Sequence, residues 1–342
     1  MNTTDLLYGI QRFTNSETIH MYIIERKKKP DSTIKSKPSD KYEYVPLQIN
    51  LSPELTSIVS NMLSQTIAMI ITNKTDLDLR EYQVIDDNED KIYTYADLDR
   101  ISGFKTFLKD KLGTEISSLD NFEELTGLEK AWAICYGFYF NEEWLYCIKK
   151  LTPSKIAIDT SLSSSITEAT KNGINSIFDL TTKTLKPFTG FTLNIEPSID
   201  LIYYKENLYV FHKKAFEELT SLTDEFVNIA MEIVEEIKDF NFIDGFDSIS
   251  NVITEKPSQR KRLIKAREIG NIEFLKKCKD IKKEFLRTGK RLKIKFEFDE
   301  QGRIIANDEV GADNIIKVLC EYYKEGVFGK KIFESPAGRL RE

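Results

Sequence analysis

Three carboxylates in this chain sit on strand segments: Asp200 on one, and Glu297 and Asp299 on another beside Lys293 and Lys295. Carboxylates that converge on a divalent ion, with a lysine on an adjoining strand, make a phosphodiester-cutting centre. These three follow no recognised ligand spacing, and acids bordering a turn are common, so neither a catalytic residue nor a metal ligand is expected. The remaining chemistry is sparse. His20 and His212 are the two histidines, in unlike contexts, which leaves serine or cysteine catalysis without its usual base. Cys135, Cys147, Cys278 and Cys320 are far apart and form no CxxC pair, arguing against zinc and for reduced core thiols, although Cys135 and Cys147 could oppose each other across a hairpin. Gly326-Val327-Phe328-Gly329-Lys330 lacks the spacing of a phosphate-cradling loop, and no GxSxG elbow is present. Asp86-Asp87-Asn88-Glu89-Asp90 lacks the glycine and distal glutamate of a calcium loop and reads as a solvated turn. No cofactor is implied.

Charge is more informative. Residues 256–295 hold sixteen Lys/Arg against four acids, a net +12, in a chain whose formal charge is −6. Such a block is a footprint for a polyanion, and nucleic-acid phosphates are the expected target because they give affinity without sequence reading. The expected DNA contacts are Arg260, Lys261, Arg262, Lys265, Lys276, Lys279, Lys283, Arg287, Lys290 and Arg291. Two other readings stay open. One is a metal-dependent nuclease or other nucleic-acid-processing enzyme. The other is an interaction subunit that docks an acidic partner through the block, or a block neutralised by the acidic stretch before it, where residues 213–247 carry ten acids and three lysines.

The elements that must position these residues read as an α+β protein, with antiparallel sheet elements and long amphipathic helices in the C-terminal half. An N-terminal α+β region is expected over 1–120 and a second domain over 121–342. Strands are expected at His20 to Ile24 and over Tyr42 to Leu51, with Pro53 opening a helix to about Thr72, since proline suits the first helical turn. Ala131 to Phe140, Trp144 to Leu151, Phe191 to Tyr204 and Leu208 to Phe211 make a four-stranded meander with turns at Asn141-Glu142-Glu143 and Lys205-Glu206-Asn207. Leu219, Leu222, Phe226, Ile229 and Ile233 recur at helical spacing, as one long helix or two joined near Thr223. That stripe packs on the protein's own sheet or pairs two copies, and a homodimer is expected. In the basic block, Ser258 and Asn271 are expected N-caps, and Phe274, Cys278, Ile281 and Phe285 the apolar face of the second helix, opposite Lys276, Lys279, Lys283 and Arg287. A hairpin of Leu292 to Phe298 with Arg303 to Ala306, and a helix from Ala312 to Lys324, complete the chain. No apolar window is long enough to cross a bilayer and no signal sequence opens the chain, which points to the cytoplasm.

Residues 125–340 carry a resemblance. Ile199-Asp200-Leu201-Ile202-Tyr203, Leu208 through Glu217, Arg260 to Ile264, Leu292 to Phe296, Gly302 to Ile305 and Phe333-Glu334-Ser335 together resemble the family that includes KwaB, the soluble subunit of the two-gene Kiwa anti-phage defence system. The family's tail carries a tyrosine and a lysine where this chain has Phe333 and Gly338-Arg339. The resemblance implies a DNA-binding effector that works with a small transmembrane partner, KwaA, at the inner face of the membrane, and blocks phage DNA replication and late expression. It brings no catalytic residues.

Overall fold

The computed structural model describes residues 18–30, 38–73, 79–85, 92–112, 131–140, 142–151, 156–158, 176–179, 183–187, 191–193, 195–325 and 332–334. The acidic turn at Asp86–Asp90, Gly326–Lys330 and the basic tail Arg339-Leu340-Arg341 lie outside the described residues.

In chain order the first elements are β1 (Thr18–Lys28), β2 (Tyr42–Ile49), α1 (Pro53–Asn73), β3 (Leu79–Glu81), β4 (Ile92–Tyr95) and α2 (Ser102–Thr106). Then come β5 (Ala131–Phe140), β6 (Glu143–Lys150), β7 (Ile156–Ile158), β8 (Ser176–Asp179), β9 (Thr184–Pro187), β10 (Phe191–Leu193), β11 (Leu201–Tyr204) and β12 (Asn207–Val210). The rest is mainly helical: α3 (Lys213–Leu219), α4 (Leu222–Lys238), β13 (Ile243–Asp244), α5 (Phe246–Glu255), α6 (Pro257–Glu268), α7 (Asn271–Lys277), α8 (Ile281–Leu292), β14 (Ile304–Ile305), α9 (Glu309–Leu319), β15 (Tyr323–Glu325) and β16 (Ile332–Glu334). The fold is α+β. The chain divides into two compact units, one of Met1–Ser32, Tyr42–Leu77 and Ser102–Ala215, the other of Thr33–Lys41, Asp78–Ile101 and Phe216–Glu342.

In the first unit six strands run in the order β2-β1-β5-β6-β11-β12, each antiparallel to its neighbour. The expected meander is its β5-β6-β11-β12 half. Lys205 and Glu206 both take positive φ, 47° and 60°, so the β11–β12 hairpin closes through the two-residue turn whose twist matches its strands. The expected strand from Phe191 to Tyr204 is broken instead: β10 pairs with β7, and only Leu201–Tyr204 joins the main sheet. Pro197 has no N–H for a ladder, and Asp200 turns its backbone and carboxylate to fixed partners described below. Register also separates the cysteines. Cys147 pairs with Tyr136 and Cys135 with Ile148, so the two thiols project to opposite faces, both buried and free. On the same sheet Tyr44 of β2 meets Phe104 of α2 edge-on at 5.2 Å. α1 starts as expected, with the Ser52 hydroxyl accepting the Leu55 N–H at 3.2 Å.

In the second unit α6 packs against α4, α5, α7 and α9. The stripe from Leu219 divides between α3 and α4, because Ser221 takes a left-handed φ of 63° and α4 restarts at Leu222. Leu219, Leu222, Phe226 and Ile233 are buried in this unit's own core. Ile229, the fifth member of the stripe, is half-buried. β13 and β14 pair in parallel, as do β3 and β4. The expected hairpin after Leu292 shrinks to a tight turn with one antiparallel bridge, Phe298 to Ile304, since β14 is taken up by β13. The last long helix runs Glu309–Leu319, earlier than expected, because the Asp308 carboxylate accepts the Gly311 N–H at 2.7 Å and fixes its start.

Candidate nucleic-acid interface

The basic block occupies α6, α7, α8 and the extended segment after it, all in the second unit. Its helices begin differently from expectation. α6 starts at Pro257, with Lys256 rather than Ser258 at its N-cap. α7 starts after Gly270, at a φ of 80°, and the Asn271 side chain instead donates to the Leu319 carbonyl at 2.7 Å. What was expected as one helix is two. Cys278 is extended, and the Asp280 carboxylate accepts the Lys283 N–H at 2.9 Å, so α8 begins afresh. The break rotates the faces: Ile272 and Leu275 are buried in α7 and Phe285 and Gly289 in α8, while Phe274 is 55% exposed.

The ten expected contacts separate into two groups. Arg260 points back to the preceding helix, its Nε donating to the Ile253 carbonyl at 2.6 Å and its Nη2 to the Thr254 carbonyl, where it satisfies the C-terminal carbonyls of α5. Lys261 lies 2.7 Å from the buried carboxylate of Glu217. Arg262 lies over the Tyr322 ring at 4.2 Å and 3.8 Å from Asp313. Lys265 is half-buried. Lys276, Lys279, Lys283, Arg287, Lys290 and Arg291 are exposed, and exposed Lys277, Lys282, Lys293 and Lys295 join them. Between residues 271 and 297 ten Lys/Arg thus face four acids, a net +6. Three of those acids pair locally: Glu273 with Lys276 at 3.9 Å and Lys277 at 3.7 Å, Glu284 with Arg287 at 2.6 Å and Glu297 with Lys295 at 3.2 Å. On α8, Lys282, Lys283 and Lys290 stand one turn from Leu286, which is 49% exposed. Phe285 anchors the helix from beneath, edge-on to Phe296 at 5.2 Å and 6.0 Å from Phe242. Gly289 lets the following segment close on α8: a Cβ there would lie 2.6 Å from the Ile294 carbonyl oxygen.

The carboxylates considered for metal chemistry have other occupations. Asp299 closes its own turn, accepting the Arg303 N–H at 2.7 Å and its Nε at 2.6 Å. Asp200, whose side chain is buried, centres a polar cluster of the first unit that sequence reasoning missed. Its carboxylate receives His212 Nδ1 at 2.7 Å, the Lys150 N–H at 2.7 Å and Lys149 Nζ at 3.1 Å, while its backbone carbonyl accepts the N–H groups of Phe211 and His212. Burial raises the carboxyl's affinity for a proton, but the His212 bond, the Lys149 charge and the Lys150 N–H together hold it below its ordinary value. The available signal was an aspartate placed directly before four apolar strand residues, where a carboxylate must find partners on the neighbouring strand. Among the described residues no group of three or more His, Cys, Asp or Glu side chains is arranged to hold a metal ion.

No curated protein and no solved structure matches the chain. A family model described as Kiwa protein KwaB-like matches residues 128–326, which take in the sheet from β5 onward and the whole basic block. With more than half its length matched, the chain belongs to the KwaB-like family of Kiwa proteins, components of an anti-phage defence system.

Proposed function

We propose that this chain binds DNA within that defence system, holding it by its phosphates on α7, α8 and the segment through Lys295, without strong sequence preference and without cutting. The observation that carries this reading is the exposed cationic surface of net +6, on helices anchored in the unit's own core by Ile272, Leu275 and Phe285. Cations fixed on short, anchored helices neutralise phosphates and release counterions, which favours any duplex alike. Engagement of Asp200 by His212 and of Asp299 by Arg303 supports holding over hydrolysis. Among the described residues no helix is long and apolar enough to cross a membrane. A membrane-embedded partner, as the family resemblance implies, would bring the protein to the envelope.

The test is fluorescence anisotropy with unrelated duplexes over a salt series, alongside supercoiled plasmid incubated with Mg²⁺ or Mn²⁺. Affinity should fall steeply with salt and equally for all duplexes, and deproteinised plasmid should remain supercoiled. Salt-independent binding, or nicking abolished by Asp200→Ala or Asp299→Ala, overturns the reading. A second reading draws on Phe274 and Leu286, exposed among the cations: the same surface would dock an acidic protein partner with a small apolar pocket. It gains ground only if DNA fails to bind.

A further inference from the structure

We propose that the cationic surface of α7 and α8 is built for unpaired bases, so that the form of DNA it holds most tightly is single-stranded. The inference rests on the DNA reading above and names the substrate class of that same site.

The observation is where apolar side chains are left in water. Phe274 is the one phenylalanine left exposed among the described residues, at 55%, and Leu286 is 49% exposed. Both fall inside the stretch of net +6. Phe274 lies on α7 one turn from Lys277, and Leu286 on α8 one turn from Lys282, Lys283 and Lys290. The helices are already anchored by other residues, Ile272 and Leu275 for α7, Phe285 and Gly289 for α8. Glu273, the acid beside Phe274, is shared between Lys276 at 3.9 Å and Lys277 at 3.7 Å.

Single exposed apolar residues are ordinary on a protein surface, and here the setting decides. A closed duplex offers such a surface its phosphates and sugars, while its base faces are shut in the stack. An unpaired strand offers phosphates together with open base faces, and every base has a face on which a phenyl ring can stack. Cations interleaved with a ring and a leucine match the second. An acidic peptide would supply carboxylates but no stacking face at every residue. Charge alone predicts the reverse order of affinity. A duplex is the denser polyanion, and each phosphate neutralised releases about 0.9 of a counterion from it against about 0.7 from a single strand. Preference for the single strand therefore reports contact with bases.

Anisotropy titrations of the full chain test this with labelled oligothymidylate, a duplex of the same length, and a strand of the same length made of abasic sites. Oligothymidylate should bind most tightly, and the abasic strand more weakly by about tenfold, the scale of one base stacked on an aromatic side chain. Phe274→Ala should weaken oligothymidylate about tenfold more than the duplex, and Leu286→Ala should act in the same direction by a smaller factor. Phe274→Trp should keep the preference, and the emission it adds should be quenched by oligothymidylate and not by the abasic strand. Tighter binding of the duplex, or equal binding of oligothymidylate and the abasic strand, overturns the inference and leaves the DNA reading standing. So does a Phe274→Ala protein that loses affinity equally for all three probes. Absence of binding to every probe overturns the DNA reading and this one with it. Polyglutamate bound in their place, and lost in Phe274→Ala, would then give the surface to an acidic protein.

Discussion

The Lys261 ammonium lies 2.7 Å from one oxygen of the Glu217 carboxylate and 2.8 Å from the other, and the Tyr82 hydroxyl donates to that second oxygen at 2.8 Å. The Glu217 side chain is 3% exposed and that of Lys261 18%. A lysine in the middle of the most basic run of the chain is therefore an internal counter-ion. Removing one partner of a buried pair leaves the other charge uncompensated, which costs about 3–5 kcal/mol. Lys261→Ala should lower the urea midpoint by a corresponding amount, and the fraction that stays folded should bind DNA as the parent does.

The outer cations should behave in the opposite way. Replacing Lys276, Lys279, Lys283 and Arg287 with Ala should change stability by no more than about 0.5 kcal/mol, as exposed substitutions do. DNA affinity should fall for every duplex, and the slope of log K against log salt should shrink by about 0.9 for each phosphate no longer neutralised. Unchanged anisotropy titrations with this folded variant would remove α7 and α8 from the interface.

Acid stability should depend on Asp200. Its folded-state carboxyl is held below the ordinary value of 3.8, despite burial that acts the other way, by His212, Lys149 and the Lys150 N–H. The unfolded chain therefore binds this proton more readily. The stabilisation is complete above about pH 5 and fades as pH falls through 4 and below, toward the folded-state value. Asp200→Asn should flatten that limb of a plot of urea midpoint against pH and lower the plateau at neutral pH. An acid limb of unchanged steepness would mean that other carboxylates control it.

Gly289→Ala tests shape with no change of charge. The added Cβ would lie 2.6 Å from the Ile294 carbonyl oxygen and 2.9 Å from the Phe296 ring. Overpacking of this kind costs about 1–3 kcal/mol. The segment that bears Lys293 and Lys295 must shift, so DNA affinity should drop by severalfold although every cation remains.

Local signals were legible in the sequence and directional ones were not. Pro53 marked the start of α1, and Lys205-Glu206-Asn207 marked the β11–β12 hairpin, because proline geometry and turn length act over a few residues. The break at Ser221 was nearly placed, two residues before Thr223. Charge density found the basic block but could not say which way each side chain turned. Arg260 faces inward because α5 ends with carbonyls that need donors, and Lys261 because Glu217 of a different helix is buried beside it. Those partners stand seven and forty-four residues away, beyond the reach of helical periodicity. The same blindness joined α7 to α8: Phe274 and Phe285 fit one stripe at 100° per residue until Asp280 resets the phase.

That junction has a practical corollary. Of the four cysteines, Cys135, Cys147 and Cys320 are buried, and burial pushes all three thiols up, so they resist alkylation at neutral pH. Cys278 is half-exposed and stands where α7 gives way to α8, between Lys277 and Lys279. The natural chain thus carries its own attachment point for a maleimide fluorophore or spin label, set among the cations proposed to hold DNA, and occupancy of that surface can be read from wild-type protein without engineering a single residue.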